Sequence, residues 1–298
     1  MSIPCPEPGI YMGVLNAVYQ AWDAVSNSRL GWLKRSCSDY KYYSEHPKDP
    51  TYDMAIGTGL HSLVLTPEDM EAEIAVAPEI NRRTKEGKAQ WIEFQDANVG
   101  KDILTQDQFE KSKAMGQALL LDDDAGGLLC IEGDREVSVV FDWPLPDREP
   151  IRCKARFDLP LKELGYIADV KTSSDCSRDG FPKSVWNFSY YRQAGFYVRA
   201  AQLSGYMDPE QFLFLCVDSG AKKCPPYNTA VYVMDSDVVL YGMLEAEDLM
   251  ARLAKCIETD TWPSYAQGVQ PVSLPPWAWA KMKELGYVQT VEQSKQEE

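Results

Sequence analysis

Three short segments hold the residues best suited to chemistry: Arg156-Phe157-Asp158, Ile167-Ala168-Asp169-Val170-Lys171-Thr172 and Gln193-Ala194-Gly195-Phe196-Tyr197. The first two alternate apolar and polar residues, as half-buried strands do. Lys171 shares a strand face with Asp169, because residues two apart point the same way. Asp is disfavoured inside strands, yet Asp169 stands in an apolar run between Ala168 and Val170. A buried, unpaired carboxylate is costly, so a cation is expected beside it. Mg²⁺ suits: it takes hard oxygen ligands, usually one or two carboxylates with waters and phosphate oxygens. A lysine beside such a metal orients or deprotonates a water and offsets charge developing on a phosphate. Asp158 and Asp169 as metal ligands and Lys171 as their helper outline metal-dependent phosphodiester hydrolysis. Gln193 and Tyr197, four apart on a helix, share a face. They suit holding the phosphate or the attacking water, and a polar pair capping the sheet fits the same spacing.

The elements that must position these residues are legible in outline. A cap-like Ser26-Asn27-Ser28 opens a helical stretch over 26–43, and 51–66 is a second, mostly buried helix. Residues 74–77 suit a short strand, and 87–98 and 105–121 suit helices. Strands are predicted near 127–132, 135–142, 151–158 and 164–171, then a helix at 188–204, strands at 211–218 and 227–234, and a helix from 236 to 258. The fold class is α/β: a mixed central sheet flanked by helices, with an N-terminal helical portion. Residues 1–270 are read as one domain, helical over about 10–125 and carrying the catalytic sheet core over about 126–260. Residues 271–298 are read as a tail with a disordered end.

With 45% hydrophobic and 25% charged residues, the composition is that of a soluble globular protein. The N-terminus lacks the pattern of a signal peptide and no stretch is apolar enough to span a bilayer, so no membrane association and a cytoplasmic location are expected. The eight cysteines form no CxxC pair, so free thiols are expected and no iron–sulfur cluster. A net charge of −15 and a pI near 4.7 exclude a generic DNA-coating protein. They leave room for a local basic channel. Arg82, Arg83, Lys85 and Lys88 make one basic patch and are candidate phosphate contacts. The stretch from Lys171 to Arg199 makes another, within which Tyr191 and Arg192 suit DNA backbone or ends. Ser28, as a helix N-cap, suits a phosphate or a plain structural cap. Glu136, just ahead of a strand, is a further acidic residue near the site. His61 lies on a helix lined by Leu60, Leu63 and Val64, where a lone histidine is more often core than ligand. No GxSxG elbow or P-loop is present.

Taken in order, Arg156-x-Asp158, Asp169-x-Lys171-Thr172 and Gln193-x₃-Tyr197 resemble the PD-(D/E)xK nuclease superfamily in its RecB-like branch. The likeness is greatest to the phage-type exonuclease VIII group (the RecE C-terminal domain). Gly57-Thr58-Gly59-Leu60-His61, Arg82–Lys88, Trp262-Pro263-Ser264-Tyr265 and Leu274-Pro275-Pro276-Trp277-Ala278 are also similar to that group. The resemblance implies a restriction-endonuclease-like core and a Mg²⁺-dependent 5′→3′ exonuclease on double-stranded DNA ends, with Mn²⁺ substituting. It places His61 at the metal. The Val170 carbonyl is a further candidate ligand, and Arg156 a candidate DNA contact. The resemblance also implies a homo-oligomeric ring and a RecT-like single-strand annealing partner in phage-type recombination. The chain departs from much of the superfamily in having Asp169 where Glu is common. A RecB-like endonuclease or end-trimming nuclease, and a catalytically silent DNA-end-binding scaffold, are the alternatives.

Overall fold

The computed structural model describes residues 3–219, 227–266 and 268–286. By internal contacts the chain divides into Met1–Trp262 and Pro263–Glu298. The first unit opens with β1 (Gly9–Tyr11) and the helices α1 (Asn16–Ala21), α2 (Asn27–Arg35), α3 (Cys37–Glu45), α4 (Tyr52–Leu65) and α5 (Met70–Glu73). β2 (Ile74–Val76), α6 (Lys85–Ala97), β3 (Asp102–Leu104), α7 (Gln106–Leu121) and α8 (Asp123–Leu129) follow. The centre is β4 (Val137–Leu145), β5 (Arg148–Phe157), β6 (Leu159–Leu161) and β7 (Tyr166–Ser173). Then come α9 (Phe181–Asn187), α10 (Tyr190–Leu203), β8 (Gln211–Asp218), β9 (Thr229–Val233) and α11 (Ser236–Thr259). The second unit holds α12 (Pro276–Glu284); the end of the tail, read as disordered, lies outside the described residues. No helix among the described residues is long and apolar enough to cross a membrane.

Two sheets meet at the centre. One has the order β1-β4-β5, the other β6-β7-β8-β9, and β2 and β3 form a separate parallel pair. β7 and β8 run parallel, with Asp169 opposite Phe214 and Lys171 opposite Cys216, while β6 and β9 flank them antiparallel. The chain leaves the first sheet at Phe157 and enters the second at Leu159, so Asp158 is the single residue at the switch. Alternation along β7 sorts its side chains by face. Ile167 joins a core with β4, β5, α2, α10 and α11, whereas Ala168 and Val170 join a core with α4, α7 and α8.

Three readings need correction. The helix expected over 26–43 is two, because buried Ser36 turns extended and caps α3 by accepting from the Asp39 amide at 3.0 Å. The N-cap of α2 is Ser26, not Ser28; Ser28 lies in the first turn, exposed, with its hydroxyl 2.9 Å from that of Ser26. The strand expected at 127–132 is helix α8, started by Asp122, which accepts from the amides of Asp124 and Ala125 at 3.1 and 2.8 Å.

Candidate active site

β5, β7, α4 and α10 bring the sequence-predicted acidic and basic residues together. Asp158 and Asp169 have side chains only 8% and 1% exposed. The Val170 amide donates to Asp158 Oδ2 at 2.9 Å, which ties the switch residue to β7. Asp169 Oδ1 accepts from the Gln193 amide at 2.7 Å, and Lys171 ion-pairs with Oδ2. That Oδ2 is buried and, the ammonium apart, makes no aligned hydrogen bond. From α4, His61 Nε2 lies 2.9 Å from the Val170 carbonyl, the oxygen expected as a ligand. His61 Nδ1 lies 3.5 Å from Glu136 and 3.6 Å from Asp158.

Glu136, expected only as a further acidic residue near the site, stands at its centre. Its φ of 48° is unusual for a non-glycine residue, and such strain gathers at functional sites. Its amide donates to the Asp158 carbonyl at 3.0 Å, extending the β4–β5 ladder to the switch. Among the described residues, His61, Glu136 and Asp158 each offer a ligand atom, all within 4.8 Å of one another. Two carboxylates and one imidazole fit a divalent cation. Asp169 lies outside this trio: its Oδ2 is paired with Lys171, and it feels the charges of Asp158 and His61.

Burial and the neighbouring charges set the titration of these groups. Burial pushes the Asp158 carboxyl up, with the His61 charge opposing and Glu136 adding to the rise. Burial also raises Asp169, to about 6, although Lys171 pulls it down. For Lys171, burial opposes the charge, but Asp169 and Asp158 outweigh it and hold the ammonium above its ordinary range. The partners therefore differ: the lysine is held charged, while the aspartate bears a desolvation that the lysine offsets only in part. Burial opposes charge on His61 too, but Asp158 and Glu136 raise it to about 9.

Other expected site residues divide by exposure. Tyr197 packs edge-on to Phe157 and Phe212, and burial holds its phenol well above the ordinary value. Arg156, Tyr191 and Arg192 are buried and corrected as DNA contacts. Arg156 pairs with Glu136 at 2.9 Å and donates to the Val14 carbonyl. Arg192 meets Glu245 at 3.2 Å and Asn27 at 3.0 Å, and Tyr191 donates to Glu245 at 3.1 Å. These groups already have their partners. Arg82, Arg83, Lys85 and Lys88 are exposed, with the Arg82 guanidinium stacked 3.3 Å from the Trp91 ring centroid. Lys85 and Lys88 occupy the first turn of α6, where a cation opposes the helix dipole and gains nothing for the helix.

A switch-point carboxylate, a D-x-K strand and a helix-borne histidine on a mixed sheet define a PD-(D/E)xK-type nuclease. The chain belongs to the family described as PDDEXK-like domain of unknown function (DUF3799), which matches residues 38–274. No curated protein matches the sequence. A presumed exonuclease from Eubacterium rectale has a similar structure at 12% identity and TM-score 0.54, over 83% of this chain and 89% of that one. A phage related exonuclease from Haemophilus somnus 129PT is similar at 16% identity and TM-score 0.30, over 68% of this chain and 94% of that one.

Proposed function

We propose that the protein is a Mg²⁺-dependent exonuclease that degrades linear double-stranded DNA from the 5′ end and leaves 3′ single-stranded tails. The observation that carries this reading is the gathering of Asp158, Asp169 and Lys171 with His61 and Glu136 around the middle of β7. His61, Glu136, Asp158 and Asp169 would hold the cation, with Mn²⁺ as a substitute. A bound divalent cation supplies Lewis acidity to a phosphate and lowers the pKa of water.

The remaining work falls to the chain. Lys171, kept as an ammonium by Asp169 and Asp158, serves as a fixed positive charge for the phosphate oxygens and the incoming water. Gln193 holds Asp169 at 2.7 Å and so fixes the carboxylate that faces Lys171. Arg156 holds Glu136 in the same manner at 2.9 Å. Both are positioning residues. The exposed Arg83, Lys85 and Lys88 suit phosphate contacts along the duplex. The likeness of the sequence motifs to the exonuclease VIII group supports the 5′→3′ polarity, a ring-shaped homo-oligomer and a single-strand annealing partner in recombination.

Linear duplex labelled on one end of one strand tests the polarity. The 5′ label should appear as a mononucleotide at early times, while a 3′ label stays on a long strand. Early release of the 3′ label, or nicking of closed circular DNA, would overturn the exonuclease reading in favour of the opposite polarity or an endonuclease.

A further inference from the structure

Beyond the carboxylate site, the face of the sheet that carries Asp169 and Lys171 continues through Phe214 and Tyr232, which stand opposite one another on β8 and β9. There α9, α10 and α11 leave an apolar groove of about 480 Å³, lined by Phe181, Trp186, Tyr191, Phe214, Tyr232 and Tyr241 among others. Asp237 is the charged residue in the lining. Two large rings stand open to solvent at the C-terminal end of α9: Trp186 is 63% exposed and Phe188, the C-cap, 65%. A run of ring contacts joins this surface to the catalytic lysine. Phe188 lies 5.7 Å from Tyr190, Tyr190 lies 5.8 Å from Phe214, and the Lys171 ammonium sits 5.2 Å from the Tyr190 ring centroid.

We propose that Trp186 and Phe188, with the groove beside them, form a base-stacking site that takes unpaired nucleobases at the end of the DNA strand. The inference rests on the nuclease reading and deepens it. Three observations favour nucleobases as the occupant. The surface is continuous with the catalytic lysine through one ring. Every base has a π face that stacks on an exposed aromatic ring whatever the sequence. The chain carries 45 acidic against 30 basic residues, so its phosphate grip is limited, and stacking is a source of affinity that does not depend on net charge. Lys34, 6.0 Å from the Trp186 ring centroid, is already paired with Glu245 at 2.8 Å, so the exposed Lys183 on α9 is the nearer candidate for a backbone contact.

The test is the binding of a fluorescein-labelled oligothymidylate to the full chain in EDTA, where hydrolysis does not interfere. Wild type is compared with Trp186→Ala and Phe188→Ala; both side chains are exposed, and circular dichroism confirms the fold. Each variant should bind roughly tenfold more weakly. The slope of log affinity against log salt should stay unchanged, because no phosphate contact is removed. Unchanged affinity in both variants, or a wild type that does not bind single strands, would overturn the proposal and leave the groove to an apolar protein segment. The two readings fail separately. Binding that depends on Trp186 and Phe188 in a protein that cleaves nothing would sink the nuclease reading and keep this one. Cleavage of linear DNA with unchanged binding in both variants would do the reverse.

Discussion

The site's behaviour follows from a few buried charges. Glu136→Gln should weaken divalent-cation binding by about tenfold to a hundredfold by titration calorimetry, because it removes one charge from the trio with His61 and Asp158. Lys171→Met should lower kcat by roughly a hundredfold or more, as loss of a fixed stabilising charge does. An unchanged kcat would remove the lysine from the reaction. His61 predicts a pH effect on stability in EDTA. Its pKa rises from 6.5 to about 9 on folding, so its contribution is complete below about 6.5 and is lost as pH climbs through 9. Urea midpoints should therefore fall between pH 7 and 9.5 more steeply in wild type than in His61→Gln; parallel curves would contradict the assignment. Asp158, Asp169 and Lys171 were legible because strand alternation and a D-x-K run are local signals. Glu136 was legible only as an acidic residue ahead of a strand; its place against His61 and Asp158 depends on a backbone turn with φ 48°. Arg156, Tyr191 and Arg192 looked like DNA contacts because their buried partners lie far off in sequence; Glu245 is 53 residues beyond Arg192.

At the scale of elements, α10 carries Gln193 to Asp169, and its placement depends on a close crossing with α11. A Cβ added at Gly195 would strike the backbone of Val239, Gly242 and Met243, and one at Gly242 would strike the backbone of Tyr191 and Arg192. The helices touch main chain to main chain, so only glycine fits at either position. Gly195→Ala should cost about 1–3 kcal/mol in urea denaturation and lower activity as well, by shifting Gln193. Normal stability with normal activity would mean that the helices part without moving the site. The longer elements, such as β5, β7, α4, α7 and α11, were readable because their apolar periodicity runs over many residues. The three-residue strands β1, β3 and β6 were not, since each is fixed by partners distant in sequence. α8 reads as a strand in sequence, because its Leu128-Leu129 pair is apolar with no visible period, while the deciding feature is the Asp122 cap.

For the whole molecule, a net charge of −15 means that the proposed DNA binding would depend on local cations, and its affinity should fall steeply with salt. Arg83→Ala and Lys88→Ala should each lower the log–log salt slope by about one if they contact phosphate. An unchanged slope would confine them to a solvated helix start. The family match shows the fold and the class of site. The most direct measurement mixes wild type and Asp169→Asn with 5′-phosphorylated linear duplex DNA and with closed circular DNA, each in Mg²⁺ and in EDTA. The account predicts loss of linear DNA alone, in Mg²⁺ alone, with wild type alone, and release of mononucleotides from the 5′ strand. Linear DNA left intact by wild type in both Mg²⁺ and Mn²⁺, or equal cleavage by Asp169→Asn, would contradict it.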